Sequence, residues 1–239
     1  DYSQADTMFA HADTFKIFTY NIDTDSVYRI MHGYHHMRVF HNDVQAVCDS
    51  MVYDSRDSLL IMYQDPILWQ AGQQQLGEEI RMFFGNGNID SVQVLRQALS
   101  VERIDSIHYN QVSGHEMHSY FREGELYLTT SVGNVFVNYY PFDEDSVMIE
   151  MNHTETSLLK MFLRDKKVER IWMPAATGTM YPIVLIPENM RYLQNFAWFD
   201  YIRPRDKYDL FEWRPKKSGT ELKESVRHSA PRQKLSDIK

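Results

Sequence analysis

The sequence predicts an all-β fold, and three observations support that prediction. Short runs of alternating apolar and polar residues recur along the chain, for example around Met51 and Tyr53 and again around Leu60 and Met62. Such alternation is typical of strands, in which every second side chain faces the same side. Turns rich in Asp, Ser, Gly and Asn separate the runs. No window before residue 187 keeps a helical period.

The turns recur at a regular spacing. Their middles fall near residues 24, 56, 87, 124 and 166, about 30 to 40 residues apart. The Asn86-Gly87 turn is a strong hairpin signal, because both residues accept the positive φ values of a type I′ turn. A repeat of this length with two main strands predicts stacked antiparallel hairpins.

A second motif precedes many of the strands and consists of a small residue, an acidic or polar residue and then alternating apolar residues. It reads ADTMF from Ala5, ADTFKIF from Ala12, CDSMVYD from Cys48, GEEIRMFF from Gly77 and GHEMHSYF from Gly114. The segment Val132-Gly133-Asn134-Val135 adds a Gly-x-Val feature between two further runs. These motifs predict one continuous β domain over residues 1–173.

The rest of the chain has a different character. Residues 187–193 suit one or two helical turns, with Pro187 near the first helical position. Residues 196–211 are aromatic-rich and interrupted by proline, which predicts a packed irregular segment. We therefore expect residues 174–214 to be an extension that caps the last hairpins. Residues 215–239 are polar and basic, which predicts a flexible tail.

Composition excludes several classes of protein. The net charge of −8 argues against a nucleic-acid-binding protein, which needs a basic surface. No apolar run reaches the roughly 20 residues of a membrane-spanning helix. The single cysteine, Cys48, excludes an intrachain disulfide and is expected to be buried and inert. Because the chain starts at Asp1 without Met, we expect a processed form, and a removed signal peptide would fit.

Three groups of residues could form a metal site or a catalytic site, but each has a simpler structural interpretation. His32, His35, His36 and His41 lie close in sequence, but only alternate residues of a strand share a face, so no metal site is expected. The Asp-rich turns lack the spacing of a calcium loop. Glu78, Glu79 and Glu116 recur at equivalent strand entries, which favours structural carboxylates over a glycosidase pair. No cofactor motif is present, so we expect none.

The strand-entry motifs, the polar turns and the Gly-x-Val feature together resemble the OstA-like family over residues 5–173. That family comprises the periplasmic lipopolysaccharide-transport proteins and the matching domain of their outer-membrane partner. Residues 180–211 lie outside the short family members and look like the extension of the larger Bacteroidetes-type members.

The resemblance implies an open, taco-like β-jelly-roll with an apolar interior that shelters the acyl chains of lipopolysaccharide. It implies a non-enzymatic periplasmic protein whose partners are lipopolysaccharide or lipid A and other lipopolysaccharide-transport proteins, joined by strand pairing. A homo-oligomer would form in the same way. The N-terminal edge, with Phe15 and Ile17, is the expected partner edge. The residues expected to line the lipid trough are Met51, Tyr53, Leu60, Met62, Ile80, Met82, Phe84, Val94, Met117, Leu128, Val135 and Val137.

Two other functions fit an all-β repeat. A β-stack enzyme acting on polysaccharides would show carboxylates converging in a cleft. A structural repeat protein without a ligand would show a filled interior and no groove.

Overall fold

A computed structural model describes residues 7–143, 145–165 and 167–217. Its main feature is one antiparallel sheet of 14 strands. The strands are β1 (Phe9–His11), β2 (Thr14–Tyr20), β3 (Tyr28–Phe40), β4 (Val44–Asp54), β5 (Leu59–Tyr63), β6 (Ile67–Gln70), β7 (Gln73–Leu76), β8 (Glu79–Gly85), β9 (Asn88–Arg103), β10 (Tyr109–Arg122), β11 (Glu125–Tyr139), β12 (Glu150–Arg164), β13 (Lys167–Trp172) and β14 (Thr177–Pro182). The predicted all-β fold is confirmed.

The sheet is folded into two layers because six long strands are shared between two sets of short ones. Strand β4 shows the arrangement: residues 44–47 pair with β6, whereas residues 50–54 pair with β5. In the same way β9 pairs with β8 through its first half and with β7 through its second half. Layer 1 is defined by β1, β6, β7 and β14, and layer 2 by β2, β5, β8 and β13, each together with the adjoining halves of β3, β4 and β9–β12.

The strands bend along one line, which we call the corner. Pairing registers shift there in β3–β4, β9–β10, β10–β11 and β11–β12, as expected for bulges that re-aim a strand. Residues of positive φ mark the line, including the consecutive pairs His35-His36, Gln64-Asp65, Arg96-Gln97 and Gly133-Asn134. Cys48-Asp49 and Gly114-His115 also lie on it, inside continuous strands. The small–polar motif thus marks bends at these two positions, whereas we had expected it at strand entries.

Cross-strand polar contacts connect neighbouring strands along the corner. His36 Nδ1 lies 2.8 Å from an oxygen of Asp13, and His35 Nδ1 lies 3.2 Å from an oxygen of Asp49. Farther along, Arg96 donates to Glu78 at 2.9 Å. The predicted turns near 24, 56, 87 and 124 and the turn at Asp165 all lie on one side of the fold. They join the layer 2 strands at the ends that are farthest from the corner.

The space between the layers is filled over the N-terminal half of the molecule. Met37 and Val39 of layer 1 belong to the same buried cluster as Met51, Met62 and Met82 of layer 2. The five side chains are each at most 4% exposed. The interior is therefore a packed, methionine-rich core from β3 to β9, consistent with the capacity of Met to fill irregular space.

Residues 188–217 form a third layer on the outer face of layer 1. We call this segment the strap; it contains a short helix, α1 (Glu188–Arg191), and two single 3-10 turns. Its apolar residues Leu193, Phe199 and Ile202 pack against Ile67 and Trp69 on the outer face of layer 1. At its far end Trp213 contacts His36 of β3, so the strap crosses from the last strands back to the first.

The extension differs in two ways from the cap expected for residues 174–214. Residues 177–182 are β14, which continues the sheet beyond residue 173 by pairing with β12. The following turn, with Ile183 and Ile186, packs against the last strands together with Met190 of the strap. The rest of the strap covers a face of the sheet. The tail expected at 215–239 lies outside the described residues from position 218 onward.

Candidate functional site: a cavity between the two layers

The two layers enclose an open cavity of about 930 Å³ over the C-terminal half of the molecule. Strands β10, β11 and β12 contribute to both walls, and β13 and β14 complete it. The volume lies near the upper end of the roughly 300–1,000 Å³ that is usual for ligand sites. The cavity continues the line of the methionine core, so the interior changes from filled to open along the stack.

The wall formed by layer 2 is mainly apolar. The alternating residues Leu159, Met161 and Leu163 of β12 line the cavity, and Val168 and Ile171 of β13 continue the surface. Phe121 and Leu126 join this wall to the methionine core, because both also pack against that cluster. This surface suits the hydrocarbon part of a ligand.

The wall formed by layer 1 is mainly polar. Amides and hydroxyls from six strands and one carboxylate line it, with four less polar side chains among them. The polar residues are Gln70, Gln73, Ser100, Glu102, Asn110, Asn152, Thr154 and Thr179, and the others are Val112, Val137, Tyr139 and Met180. Some of these groups are paired with each other, since Ser100 donates to Gln73 at 3.1 Å and Asn110 donates to Glu102 at 3.0 Å. The side-chain oxygens of Gln70 and Asn152 are buried and have no partner among the residues that the structure describes.

The charge of the lining is entirely negative. Asp43, Glu102 and Glu125 line the cavity, and among the described residues that line it there is no Lys, Arg or His. All three carboxylates lie on exposed residues, so they stand where solvent reaches the cavity.

The predicted trough residues are divided by the structure. Met117 and Val137 line the cavity. Most of the others pack in the filled core, either buried or partly buried: Met51, Tyr53, Leu60, Met62, Ile80, Met82, Phe84 and Val94. Val135 is fully buried. Leu128 pairs with Tyr120 and Phe162, and because its neighbour Thr129 lines the cavity, Leu128 lies on the other face of the sheet.

The residues considered for catalysis or metal binding lie at the corner or outside the cavity. Glu78 accepts from Arg96 and Gln97, and Glu79 accepts from Arg81 at 2.6 Å. Burial alone would lower the pKa of Arg96, but its hydrogen bonds to Glu78 and Glu79 outweigh that effect and raise it. Within the described ranges, no group of three or more His, Cys, Asp or Glu side chains is placed to hold a metal ion. Burial raises the pKa of the Cys48 thiol, which keeps it protonated.

The predicted partner edge is a strand edge with exposed apolar residues. Strand β2 pairs with β3 on one side. Phe15 and Ile17 are 39% and 62% exposed. Phe15 pairs with Gly33 and Ile17 with Met31 on β3, and these two residues pair in turn with Met51 and Tyr53 on β4. The N-terminal end of the core is thus partly open to solvent.

The opposite end of the sheet also presents strand edges. Every residue of β13 is exposed, and Val168, Ile171 and Trp172 are large apolar residues there. Strand β14 is similarly exposed. The strap packs elsewhere, so within the described residues it does not cover these edges.

Together, the fold and the cavity define an antiparallel β protein with two bent layers that hold an open, amphipathic cavity. None of the helices in the described part of the chain has the length and apolar character needed to cross a bilayer. No family model and no curated protein sequence matches the chain. Among solved structures, the chain is similar to LptH of Pseudomonas aeruginosa, described as the LptA-homologous periplasmic component of the lipopolysaccharide transport device. The two are 12% identical over 58% of this chain and 93% of LptH, with a TM-score of 0.41.

Sequence reasoning missed most of the lining residues of the cavity. The alternation Leu159, Met161, Leu163 was as clear a signal as the earlier runs. The polar wall could not be predicted from the sequence, because its amides and hydroxyls come from six strands spread between residues 67 and 182.

Proposed function

We propose that this chain is a non-enzymatic periplasmic carrier that binds lipopolysaccharide and shelters its acyl chains between the two layers. The observation that carries the proposal is the open cavity of about 930 Å³ whose layer 2 wall is apolar. Removing acyl chains from water releases about 0.8 kcal/mol per CH₂ group, so a carrier needs an apolar surface of this kind. The OstA-like motifs in the sequence support the same function.

The site of sheltering is assigned to the C-terminal half of the interior. The methionine core between β3 and β9 is filled by its own side chains, with Met37, Met62 and Ile80 at 0% exposure. A ligand there would have to displace packed residues, whereas the cavity between β10 and β14 already has the space. Of the predicted trough residues, Met117 and Val137 remain as proposed acyl contacts. Met161, Leu163 and Ile171 join them, because they also line the cavity.

Transport along a chain of proteins would use the strand edges. Unpaired edges bind further strands readily, because their backbone N–H and C=O groups need partners. Strands β13 and β14 at one end would pair with β2 and β1 of a second copy, or with equivalent strands of other lipopolysaccharide-transport proteins. In that arrangement the apolar rows of neighbouring molecules would join into one continuous surface.

Photo-crosslinking tests the location of the acyl chains. A benzoylphenylalanine introduced at Met161 or Leu163 should form adducts with purified lipopolysaccharide, because both side chains line the cavity. The matched control is the neighbouring Phe162, which alternates to the outer face of layer 2 and lies beneath Arg170. Adducts should be detected by mass spectrometry of the protein band. Equal labelling at Phe162 and at the two cavity positions would contradict the proposal.

A further inference from the structure

A second large space lies on the outside of the molecule, between the strap and the corner. Its volume is about 1040 Å³, similar to that of the interior cavity. We call this space the strap groove. Residues 189–199 of the strap form one wall, and corner residues such as Gly114, His115 and Asn134 form the other. Because one wall belongs to the strap, the groove exists only when the strap is docked.

The strap groove crosses six adjacent strands. It extends from Pro66, just before β6, to His153 of β12, and the strands on this path lie in the order β6, β7, β9, β10, β11 and β12. Five spacings of about 4.8 Å between strands give it a length of roughly 24 Å. Strands β7 and β9–β11 are each paired on both sides, so they offer no backbone edge to an added strand. An extended ligand in this groove is therefore held by side chains.

Aromatic rings line both sides of the strap groove. Tyr192, Phe196 and Trp198 come from the strap, and Phe136 comes from β11. Tyr192 stacks on Phe196 with the ring centroids 4.5 Å apart. The buried Tyr109 packs against Phe196 and Trp198, at centroid distances of 5.1 and 5.4 Å. Rings held in this way offer flat apolar surface to a ligand at a low cost in conformational entropy.

Exposed amides line the same groove. Asn134 lies at the corner, and Asn189 and Gln194 lie on the strap. An amide side chain both donates and accepts hydrogen bonds, and so does a hydroxyl group. The amides are therefore complementary to a ligand rich in hydroxyls. A hydrocarbon chain would displace their water without replacing its hydrogen bonds.

The charged groups of the lining are few and have partners. They are two carboxylates, Asp65 and Glu155, and the ammonium group of Lys216. Lys216 donates to the backbone carbonyl of Asp65 at 2.9 Å and lies over the ring of Phe199. Glu155 lies 3.8 Å from Nε2 of His153. An ionic ligand would need a cluster of opposite charge, so this lining suits a neutral one.

We infer that the strap groove binds a neutral oligosaccharide. The apolar faces of the sugar rings lie against the aromatic side chains, and the sugar hydroxyls exchange hydrogen bonds with the exposed amides. A free glycan and the saccharide part of a glycolipid share this chemistry. The inference goes beyond the sheltering of acyl chains and does not depend on it, because the strap groove and the interior cavity have no lining residue in common.

Isothermal titration calorimetry with defined saccharides tests the inference. The probes are maltohexaose, cellohexaose, laminarihexaose and mannohexaose, together with the oligosaccharide released from lipopolysaccharide by mild acid and then dephosphorylated. At least one should bind with a Kd of at most about 1 mM. Binding of a hexasaccharide assigns the site to free glycans, whereas binding of the released oligosaccharide alone assigns it to a glycolipid. Added salt should change the affinity less than about twofold, because a neutral ligand has no charge to screen.

Variants locate the bound saccharide. Tyr192→Ala removes a stacking ring and should weaken binding at least about tenfold, a difference of about 1.4 kcal/mol. The matched control is Tyr208→Ala, which removes another tyrosine of the strap that is 73% exposed and does not line the groove, and it should leave the affinity unchanged. Asn134→Ala with Gln194→Ala changes only exposed side chains and should weaken binding severalfold. Thermal unfolding by circular dichroism shows that each variant is folded.

The outcomes separate this inference from the proposed function. If none of the saccharides binds, or if salt abolishes their binding, the inference is overturned. Unchanged affinity in both Tyr192→Ala and the double amide variant would also overturn it, because the sugar would then lie elsewhere. Failure of the crosslinks at Met161 and Leu163 would overturn the acyl site alone and leave the saccharide site standing.

Discussion

At the scale of single residues, four amide side chains on the outer face of layer 1 hold the strap. Gln111 donates to the carbonyl of Arg191 at 2.9 Å and accepts from the backbone N–H of Leu193 at 2.9 Å. Gln74 makes the same two-way contact with Ala197 and Phe199. Each amide therefore satisfies a donor and an acceptor of a segment that has no strand partner, which matters because unpaired buried backbone groups are costly.

The other two amides extend the series in both directions. Asn138 donates to the carbonyl of Met190 at 2.9 Å. Gln45 accepts from Arg203 and donates to the carbonyl of His41. All four side chains are at most 3% exposed, so their hydrogen bonds are shielded from water and fix the path of the strap.

Replacement of Gln111 by Leu should destabilise the protein by about 1–3 kcal/mol, because it leaves two buried backbone groups unpaired. Urea unfolding followed by tryptophan fluorescence measures the loss. Gln93→Leu is the matched control, because Gln93 is also in a strand and partly exposed but lies between Arg81 and His118 in layer 2, whereas the strap packs on layer 1. A loss at Gln111 no greater than that at Gln93 would contradict the role assigned to the amides.

The amides show where residue-level prediction from the sequence stops. Alternation correctly indicated which residues of a run share a face, and it identified Met51 and Met62 as inward-facing. It gave no reason to single out Gln74 or Gln111, since a polar residue on the outer face of a strand is ordinarily solvated. Their partners Phe199 and Leu193 lie 125 and 82 residues away in the chain, respectively, and no local pattern reports such a contact.

At the scale of the element, the bent strand is the unit of the fold. Each long strand pairs with one set of neighbours before the corner and another set after it, so a single strand contributes to both layers. Positive φ values and register shifts make the bend, and they recur at the same level in successive strands. The walls of the cavity are therefore held together covalently at every strand that crosses the corner.

Replacement of Gly133 by Ala tests whether the bend in β11 requires a residue without a side chain. Its φ is +79°, and an added Cβ would lie 2.9 Å from the Cβ of His115. Gly133→Ala should thus cost about 2–3 kcal/mol, from the unfavourable φ and the clash with the neighbouring strand. Thermal unfolding by circular dichroism gives the comparison.

The control for this change is Gly72→Ala. Gly72 has the same φ of +79° but no atom within 4 Å of the added Cβ, so Ala there should cost only about 1 kcal/mol. A loss at Gly133 equal to that at Gly72 would show that the two strands at the corner separate without cost.

Elements were predictable where their chemistry is local. The hairpin turn at Asn86-Gly87 follows from residues that accept positive φ, and so its position was predicted correctly. The bends at Cys48-Asp49 and Gly114-His115 were interpreted as strand entries, because a small residue followed by a polar one fits either. A bend forms instead of a strand entry when the two halves of one strand pair with different neighbouring strands, and the rest of the sheet determines that pairing.

At the scale of the whole molecule, the interior is filled at one end and open at the other. The apolar alternation is similar in both halves, so the sequence predicted a continuous stripe without separating core from cavity. The difference comes from the facing wall. Val39, Val44 and Ala46 oppose layer 2 in the filled half, whereas amides and hydroxyls, with Val112 and Val137 among them, oppose it in the open half.

Assembly through the strand edges should depend on Ile17. This residue is 62% exposed on the edge strand β2, and an added charge there would oppose pairing with another strand. Ile17→Lys should reduce concentration-dependent self-association or partner binding at least about tenfold, which costs the complex about 1.4 kcal/mol. Sedimentation velocity over a concentration series measures the effect.

Ile107→Lys serves as the control for Ile17→Lys. Ile107 is 47% exposed in the loop between β9 and β10, away from both strand edges, so its replacement should leave association unchanged. If the two variants associate equally well, pairing does not use the β2 edge.

The path of the strap also bears on the order in which the molecule can form. Arg203 meets Gln45 across 158 residues of sequence, and Trp213 reaches His36. A ribosome releases the strap only after every strand it covers. Until then Ile67, Trp69 and Leu99 remain uncovered on the outer face of layer 1. Contacts of such long sequence separation slow folding, and exposed apolar sheet invites aggregation. The nascent chain therefore exposes an apolar surface until the strap has been synthesised, and docking of the strap is a late step of folding.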